Sequence, residues 1–233
     1  MKILVTRPLE DGRQIAARLA EMGHQALLAP LLEPRFFDGP EPALDDVQAV
    51  LATSANGVRA LIRRTRRRDV SVFAVGPQTA EEAARAGFTD VRSADGDAVA
   101  LAEATTRWSR PEDVLLHVCG EDAPGTLADT LAARGFIVRR AVLYGMAGAG
   151  GLPPEVRAAL EQGHLDAVMF FSPKSARLFL ILARDLPIAG LTAFCISPAT
   201  AGALASGIFA DVRIADRPNQ AAMLALAERS QKL

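Results

Sequence analysis

Short continuous apolar runs alternate along the chain with longer stretches in which apolar positions recur every three or four residues. Ile3-Leu4-Val5, Ala49-Val50-Leu51 and Ala167-Val168-Met169 are runs of the first kind. A strand buried on both faces reads as a continuous apolar run, whereas a helix covering a sheet repeats with a period of about 3.6 residues. Segments 55–67 and 173–184 carry the helical period and each follows an apolar run directly. The alternation predicts parallel sheets joined by crossover helices.

Displaced by about 110 to 120 positions, the chain matches itself, as internal repeats do. Ile3-Leu4-Val5, Ile15, Leu19 and Gly23 fall on Leu115-Leu116, Leu127, Leu131 and Gly135, each set reading strand, amphipathic helix, glycine stop. Ala49-Val50-Leu51 and Ser54 fall on Ala167-Val168-Met169 and Ser172, Gly76-Pro77-Gln78-Thr79-Ala80 on Ser197-Pro198-Ala199-Thr200-Ala201, and Asp90-Val91-Arg92 on Asp211-Val212-Arg213. The expectation is a duplicated α/β unit forming two flavodoxin-like lobes. Pro30 and Pro34 bias their surroundings toward extended chain, so 31–37 and its counterpart 139–146 read as paired crossover strands. Gly148-Ala149-Gly150-Gly151 beyond them reads as a flexible hinge.

With 233 residues, half of them hydrophobic, the chain can bury the core of one large domain or two small ones. A net charge of -1 provides no global surface for a polyanion. The basic run Arg63, Arg64, Arg66, Arg67, Arg68 reads as a solvated helix end that offsets the dipole rather than as a nucleic-acid contact. Asp45-Asp46 and Glu81-Glu82 read as solvated acids flanking helices. The opening apolar run is too short for a signal segment or a membrane span, which points to the cytoplasm. Cys119 and Cys195, each in an apolar run, read as buried reduced thiols. His24, His117 and His164 lack metal-ligand spacing, and no triad or paired-carboxylate pattern stands out.

In open parallel sheets, ligands bind beyond the carboxyl ends of the strands, where helix N-termini present unpaired N–H groups. The segments at those places are Thr6-Arg7-Pro8, Thr53-Ser54-Ala55-Asn56, Gly76-Pro77-Gln78-Thr79, Gly120-Glu121, Ser172-Pro173-Lys174-Ser175 and Ser197-Pro198-Ala199-Thr200. Each alone reads as ordinary helix capping. Matched in two lobes and facing a crevice, they would line it with amide and hydroxyl donors suited to anions. No GxxxxGK[ST] and no GxGxxG after a strand is present, so carboxylates fit better than a nucleotide. Tyr144, the only tyrosine, lies on the second crossover strand, either as a packed strand tyrosine or with its hydroxyl reaching the crevice.

Taken in order, these strand-end segments resemble the uroporphyrinogen-III synthase family over essentially the whole chain. The segments are Val5-Thr6-Arg7-Pro8, Thr53 to Val58, Val75 to Ala80, Leu143-Tyr144, Phe171 to Ala176, Ile196 to Ala201, and Arg217-Pro218-Asn219 before the last helix. The resemblance implies lobes that ignore the sequence halves: 1–34 with 147–233, and 38–138, joined by linker strands 31–37 and 139–146. It implies the substrate hydroxymethylbilane, no cofactor and no metal. The expected chemistry is loss of the terminal hydroxyl, attack through a spiro intermediate, and closure with the last pyrrole inverted. Because the substrate closes unaided to the symmetric isomer, the protein's main task would be to hold the chain in the other orientation. Tyr144 takes the role of general acid to the departing hydroxyl. Ser54, Thr79, Ser172, Ser175 and Thr200 bind carboxylates together with the amides of their turns. Arg7 and Lys174 add charge, or are paired internally, Arg7 with acids such as Glu10. Asn56 stands where some members have arginine, and Gly145 where a longer polar residue is usual. The implied protein is a cytoplasmic monomer with no nucleic-acid or membrane partner, open to transient contact with the preceding pathway enzyme. The competing readings are a catalytically silent synthase-like domain, a two-lobed small-ligand binding protein and, on the arginine run alone, a nucleic-acid module.

Overall fold

The computed structural model describes residues 1–230, so the final stretch of the expected first lobe, 231–233, lies outside the described residues. Its elements run β1 (Lys2–Val5), α1 (Leu9–Glu21), β2 (Gln25–Leu28), β3 (Leu32–Phe36), β4 (Val47–Ala52), α2 (Ala55–Arg64), β5 (Ser71–Ala74), α3 (Pro77–Arg85), β6 (Val91–Ser93) and α4 (Ala98–Trp108). They continue with β7 (Val114–Gly120), α5 (Thr126–Ala132), β8 (Ile137–Gly148), α6 (Pro154–Glu161), β9 (Ala167–Phe170), α7 (Pro173–Leu182), β10 (Thr192–Cys195), α8 (Pro198–Ala201), β11 (Asp211–Ile214) and α9 (Gln220–Arg229). The chain divides into two units, one made of Met1–Glu33 with the chain from Ala147 onward, the other of Pro34–Met146.

The first unit holds a sheet in the order β11-β10-β9-β1-β2, and its strand pairs are parallel. Successive side chains of a strand point to opposite faces, and here both faces are dry. Leu4, Val168, Phe170, Ala193 and Cys195 form one core with Val156 and Leu160 of α6 and Ala176 and Phe179 of α7. Ile3, Val5, Ala167, Met169 and Phe194 form the other with Ile15 and Leu19 of α1 and Met223 and Leu226 of α9.

The sheet of the second unit has the order β3-β8-β7-β4-β5-β6. Val50, Ala52, Val72, Leu116 and Val118 pack with Val58 and Leu61 of α2 and Ala83 of α3. Ala49, Leu51, Phe73 and Leu115 pack with Leu101 of α4 and Leu127 and Leu131 of α5. At one end of the sheet, Phe37 N–H donates to the Leu143 carbonyl and Ala149 N–H to the Leu31 carbonyl, both at 2.9 Å. Partner numbers that fall as the others rise mark an antiparallel pair. Pro34 lies on that edge strand, where a missing N–H costs no ladder bond. The glycine stretch expected as a hinge begins inside β8, and Ala149 is tied to Leu31.

Residue by residue, the two sheets share one register. Ile3 pairs with Ala167 and Ala167 with Thr192 in the first; Leu115 pairs with Ala49 and Ala49 with Ser71 in the second. The helix stops agree too. Gly23 and Gly135 both turn to positive φ, at +79° and +88°, a conformation natural to glycine. His24 N–H returns to the Leu19 carbonyl and Phe136 N–H to that of Leu131, closing the same C-terminal motif.

Helix α2 stops three residues short of the expected 67, because Thr65 is extended, with φ at -142°. Of the arginine run at this helix end, Arg63 and Arg66 stay exposed and others find partners. Arg64 donates to the carbonyls of Phe37 and Pro40, Arg68 to those of Ala86 and Thr65, and Arg67 pairs with Asp45 and Asp69. Arg63 lies over the Phe36 ring, 4.3 Å from its centroid. Helix α7 likewise ends at Leu182 rather than at 184.

Candidate functional site

Register decides which strand ends meet. In the second unit Ala52 is paired with both Ala74 and Val118, and Gly120 with Tyr144, so Ser54, Gly76, Gly120 and Tyr144 line up along one edge of the sheet. Ser54 caps α2: its Oγ accepts from Gly57 N–H at 3.2 Å. The same oxygen is 2.8 Å from the Tyr144 hydroxyl. Tyr144 sits two strands away, and its ring reaches Ser54 by crossing the end of β7 at Gly120, where no side chain intervenes. The ring is buried and also meets Phe36, with centroids 6.4 Å apart. Burial raises the phenol pKa above its ordinary value, and the bond to Ser54 pulls it partly back.

Thr79, in the first turn of α3, is buried and its N–H donates to the Gly76 carbonyl at 3.1 Å. Pro77 occupies the opening position of that helix, where a missing N–H is harmless. Asn56 accepts from Arg59 Nη1 at 3.1 Å, which orients its amide so that Nδ2 faces Met146 Sδ at 4.0 Å. Arg59 is buried and its Nη2 donates to Glu82 at 2.8 Å. Glu82 is therefore not the solvated acid expected from its place beside Glu81. It lies on the inner face of α3, only 7 % exposed, and ties that helix to α2. Glu121, after β7, folds its carboxylate over Gly145, in the space a side chain there would take.

The first unit repeats the pattern with different partners. Ser172 Oγ accepts from Ser175 N–H at 3.1 Å, and the Ser175 hydroxyl donates to the Ser172 carbonyl at 2.9 Å. Ser197 Oγ accepts from Thr200 N–H, and the two hydroxyls are 3.1 Å apart. Ser175 and Thr200 are buried, while Lys174 is exposed. Arg7 pairs with buried Asp11, one turn along α1, and lies over the Phe171 ring, 5.0 Å from its centroid. Arg7 is thus paired internally, with Asp11 as its acid. Its i, i+4 spacing is a signal the sequence contains.

The structure thus brings Ser54 together with Tyr144, and Ser172 with Ser175. It also shows contacts that the sequence does not display: the Tyr144 ring against Gly120, the buried Arg59–Glu82 pair, and buried His117 with its Nε2 3.4 Å from Thr53 Oγ1. Cys119 and Cys195 are both free and buried, and burial pushes the Cys195 thiol up to about 11. Among the described residues no helix is long and apolar enough to cross a membrane.

These features define a mixed α/β protein with two parallel-dominated sheets and a polar set of capped turns at the carboxyl ends of the strands. The family model for uroporphyrinogen-III synthase HemD matches residues 13–225. The chain belongs to the uroporphyrinogen-III synthase family. It is 27 % identical over 220 residues to the porphyrin biosynthesis protein HemD of Ruminiclostridium josui, a match over 87 % of this chain and 43 % of that protein. The chain therefore spans less than half the length of that relative. Among solved structures, the uroporphyrinogen-III synthetase of Helicobacter pylori matches at a TM-score of 0.67 and 19 % identity, over 98 % of this chain and 99 % of the other. A mutant uroporphyrinogen III synthase of the extremely thermophilic bacterium Thermus thermophilus matches at 0.53 and 20 % identity, over 100 % and 99 %. At such identities the two structures speak for the fold.

Proposed function

We propose that this chain is a uroporphyrinogen-III synthase, converting hydroxymethylbilane to uroporphyrinogen III with loss of water and inversion of the last pyrrole ring. The observation that carries the reading is the family match across residues 13–225. Tyr144, hydrogen-bonded to Ser54 from β8, is the general acid that protonates the departing hydroxyl. Thr79 in one unit and Ser172, Ser175 and Thr200 in the other, with the amides of their turns, take the acetate and propionate groups. Arg7 and Lys174 add charge at the edge of that set. Ser54 meets the substrate through Tyr144. The remaining work is positional: a flexible substrate that closes unaided to the symmetric isomer is held so that the substituted carbon of the last ring attacks first.

On this reading the chain is a duplicated flavodoxin-like unit, its two lobes joined by the strands 31–37 and 139–146. The shared strand order and register support the duplication. The buried free thiols fit a cytoplasmic enzyme, needing no cofactor, metal or nucleic acid and meeting the preceding pathway enzyme at most in passing.

The test supplies freshly made hydroxymethylbilane to the purified protein without added metal or cofactor, oxidises the products and separates type I from type III uroporphyrin. Type III in excess of a no-enzyme control is the expected result. Type I alone from folded protein overturns the assignment in favour of a catalytically silent relative.

A further inference from the structure

The matched positions of the two units differ at one informative place. In the first unit Ser172 caps α7 and the residue three along, Ser175, supplies a second hydroxyl 3.1 Å from it. In the second unit the corresponding pair is Ser54 and Gly57, so the cap oxygen has no such neighbour, and the Tyr144 hydroxyl takes that place at 2.8 Å. Gly57 is glycine for a separate reason: a Cβ there would meet the Val118 carbonyl oxygen at 2.9 Å. The close approach of α2 to β7 therefore leaves a vacant partner position on Ser54, and a side chain from β8 fills it.

We infer that Ser54 is a positioning residue for Tyr144, acting on the substrate through the phenol rather than by binding a carboxylate. Ser54 Oγ has one lone pair committed to Gly57 N–H, at the positive end of α2. Its own proton is free to go to the Tyr144 oxygen, which lets the phenolic proton point onward. The result is a chain of donors from Gly57 N–H through Ser54 and Tyr144, each bond polarising the next. The inference rests on the synthase reading for what lies at its far end. There the C–O bond of the terminal hydroxymethyl group breaks with its electron pair on oxygen. That oxygen takes the phenolic proton and leaves as water. The phenolate is left accepting from Ser54 until the proton shed when the closed ring regains aromaticity restores the phenol. A phenolate in a buried site depends on such a donor, since burial alone opposes its charge.

Tyr144 is the only tyrosine in the chain, so the near-ultraviolet absorbance change on phenol ionisation reports this residue alone. Ser54→Gly removes the hydroxyl at small cost to the helix start, since glycine is a competent cap and already serves at Gly76 of α3. The Tyr144 ionisation midpoint is expected to rise by about one pH unit in Ser54→Gly, and Ser54→Thr is expected to bring it back. An unchanged midpoint in folded Ser54→Gly overturns the inference, whatever the protein does with substrate. With hydroxymethylbilane, kcat should fall about tenfold with KM nearly constant, as for a lost hydrogen bond in the transition state. It should fall no further when Ser54→Gly is added to Tyr144→Phe. A raised KM at constant kcat, or an additive loss in the double variant, places Ser54 on the substrate and also overturns the inference. Failure of the wild type to make the type III isomer counts against the synthase reading alone, because the titration is read without substrate.

Discussion

The ring of Tyr144 lies against the backbone of Gly120, where a Cβ would stand 3.0 Å from the ring carbons Cε2 and Cζ and 3.3 Å from the hydroxyl. Gly120 does not adopt a positive φ, so the constraint is steric rather than conformational. Phe36 flanks the ring, leaving it little room to slide. Gly120→Ala is therefore expected to push the phenol off Ser54. Overpacking of this kind costs about 1 to 3 kcal/mol, to be measured by urea unfolding. Its effect on turnover should match that of Tyr144→Phe. A Gly120→Ala protein with wild-type turnover would show that the Ser54–Tyr144 bond is dispensable.

Two further glycines separate rigid from yielding neighbours. A Cβ at Gly57 meets a backbone oxygen of β7, which cannot move without the strand. The better helix propensity of alanine, about 1 kcal/mol, offsets only part of the strain, so Gly57→Ala is expected to destabilise by about 1 to 2 kcal/mol net. The atoms nearest a Cβ at Gly145 belong to the exposed carboxylate end of Glu121, which swings away into solvent. Gly145→Ala should stay within about 0.5 kcal/mol of wild type. Denaturant midpoints of the two variants, measured side by side, decide the contrast.

The parallel sheets were legible because strands buried on both faces leave unbroken apolar runs such as 3–5 and 167–169, and the helices between them keep their period. Helix ends were less so: nothing in the composition of Arg63 to Arg68 says that the chain turns extended at Thr65 and bends its arginines back onto backbone carbonyls. The capped turns could be placed at strand ends, since Ser and Thr declare themselves there, but their partners could not. The Ser54–Tyr144 bond joins residues 90 apart and depends on a third, Gly120, on the strand between them. Such a triple emerges only once the strand order is known. Glu81 and Glu82 look alike in sequence, and only the rotation of α3 against α2 separates them.

That last pair makes a direct test. Glu82 is buried with Arg59 and also receives Arg85, whose side chain is more than half exposed. Removing one charge of a buried ion pair costs about 3 to 5 kcal/mol. Glu82→Ala is expected to lose stability on that scale, with Asn56 losing the guanidinium that orients its amide. Glu81→Ala, one residue away and exposed, should change stability by no more than about 0.5 kcal/mol. Comparable small effects in both variants would mean that the Arg59–Glu82 pair does not hold α2 to α3.

His117 sets an acid limit on the second unit. It is 1 % exposed, and its Nδ1 has no hydrogen-bond partner among the described residues. Burial, and then the nearby Arg140 charge, push its pKa from 6.5 down to about 4. The fold therefore favours the neutral ring, and below pH 6.5 the unfolded chain binds the proton more readily than the native one. The stability linked to His117 is full above pH 6.5, declines as the pH falls, and is lost by about pH 4. Its size is on the order of 3 kcal/mol. A non-titrating replacement, His117→Gln, keeps a polar group near Thr53 but removes this dependence. Unfolding free energies of the two proteins, measured by urea at neutral pH and again near the acid limit, should differ more at neutral pH, because only the wild type loses stability through this group. His24, also buried with a lowered pKa, contributes to both proteins alike and cancels in the comparison. An equal difference at both pH values would show that His117 titrates normally, and hence that water reaches the inner face of β7.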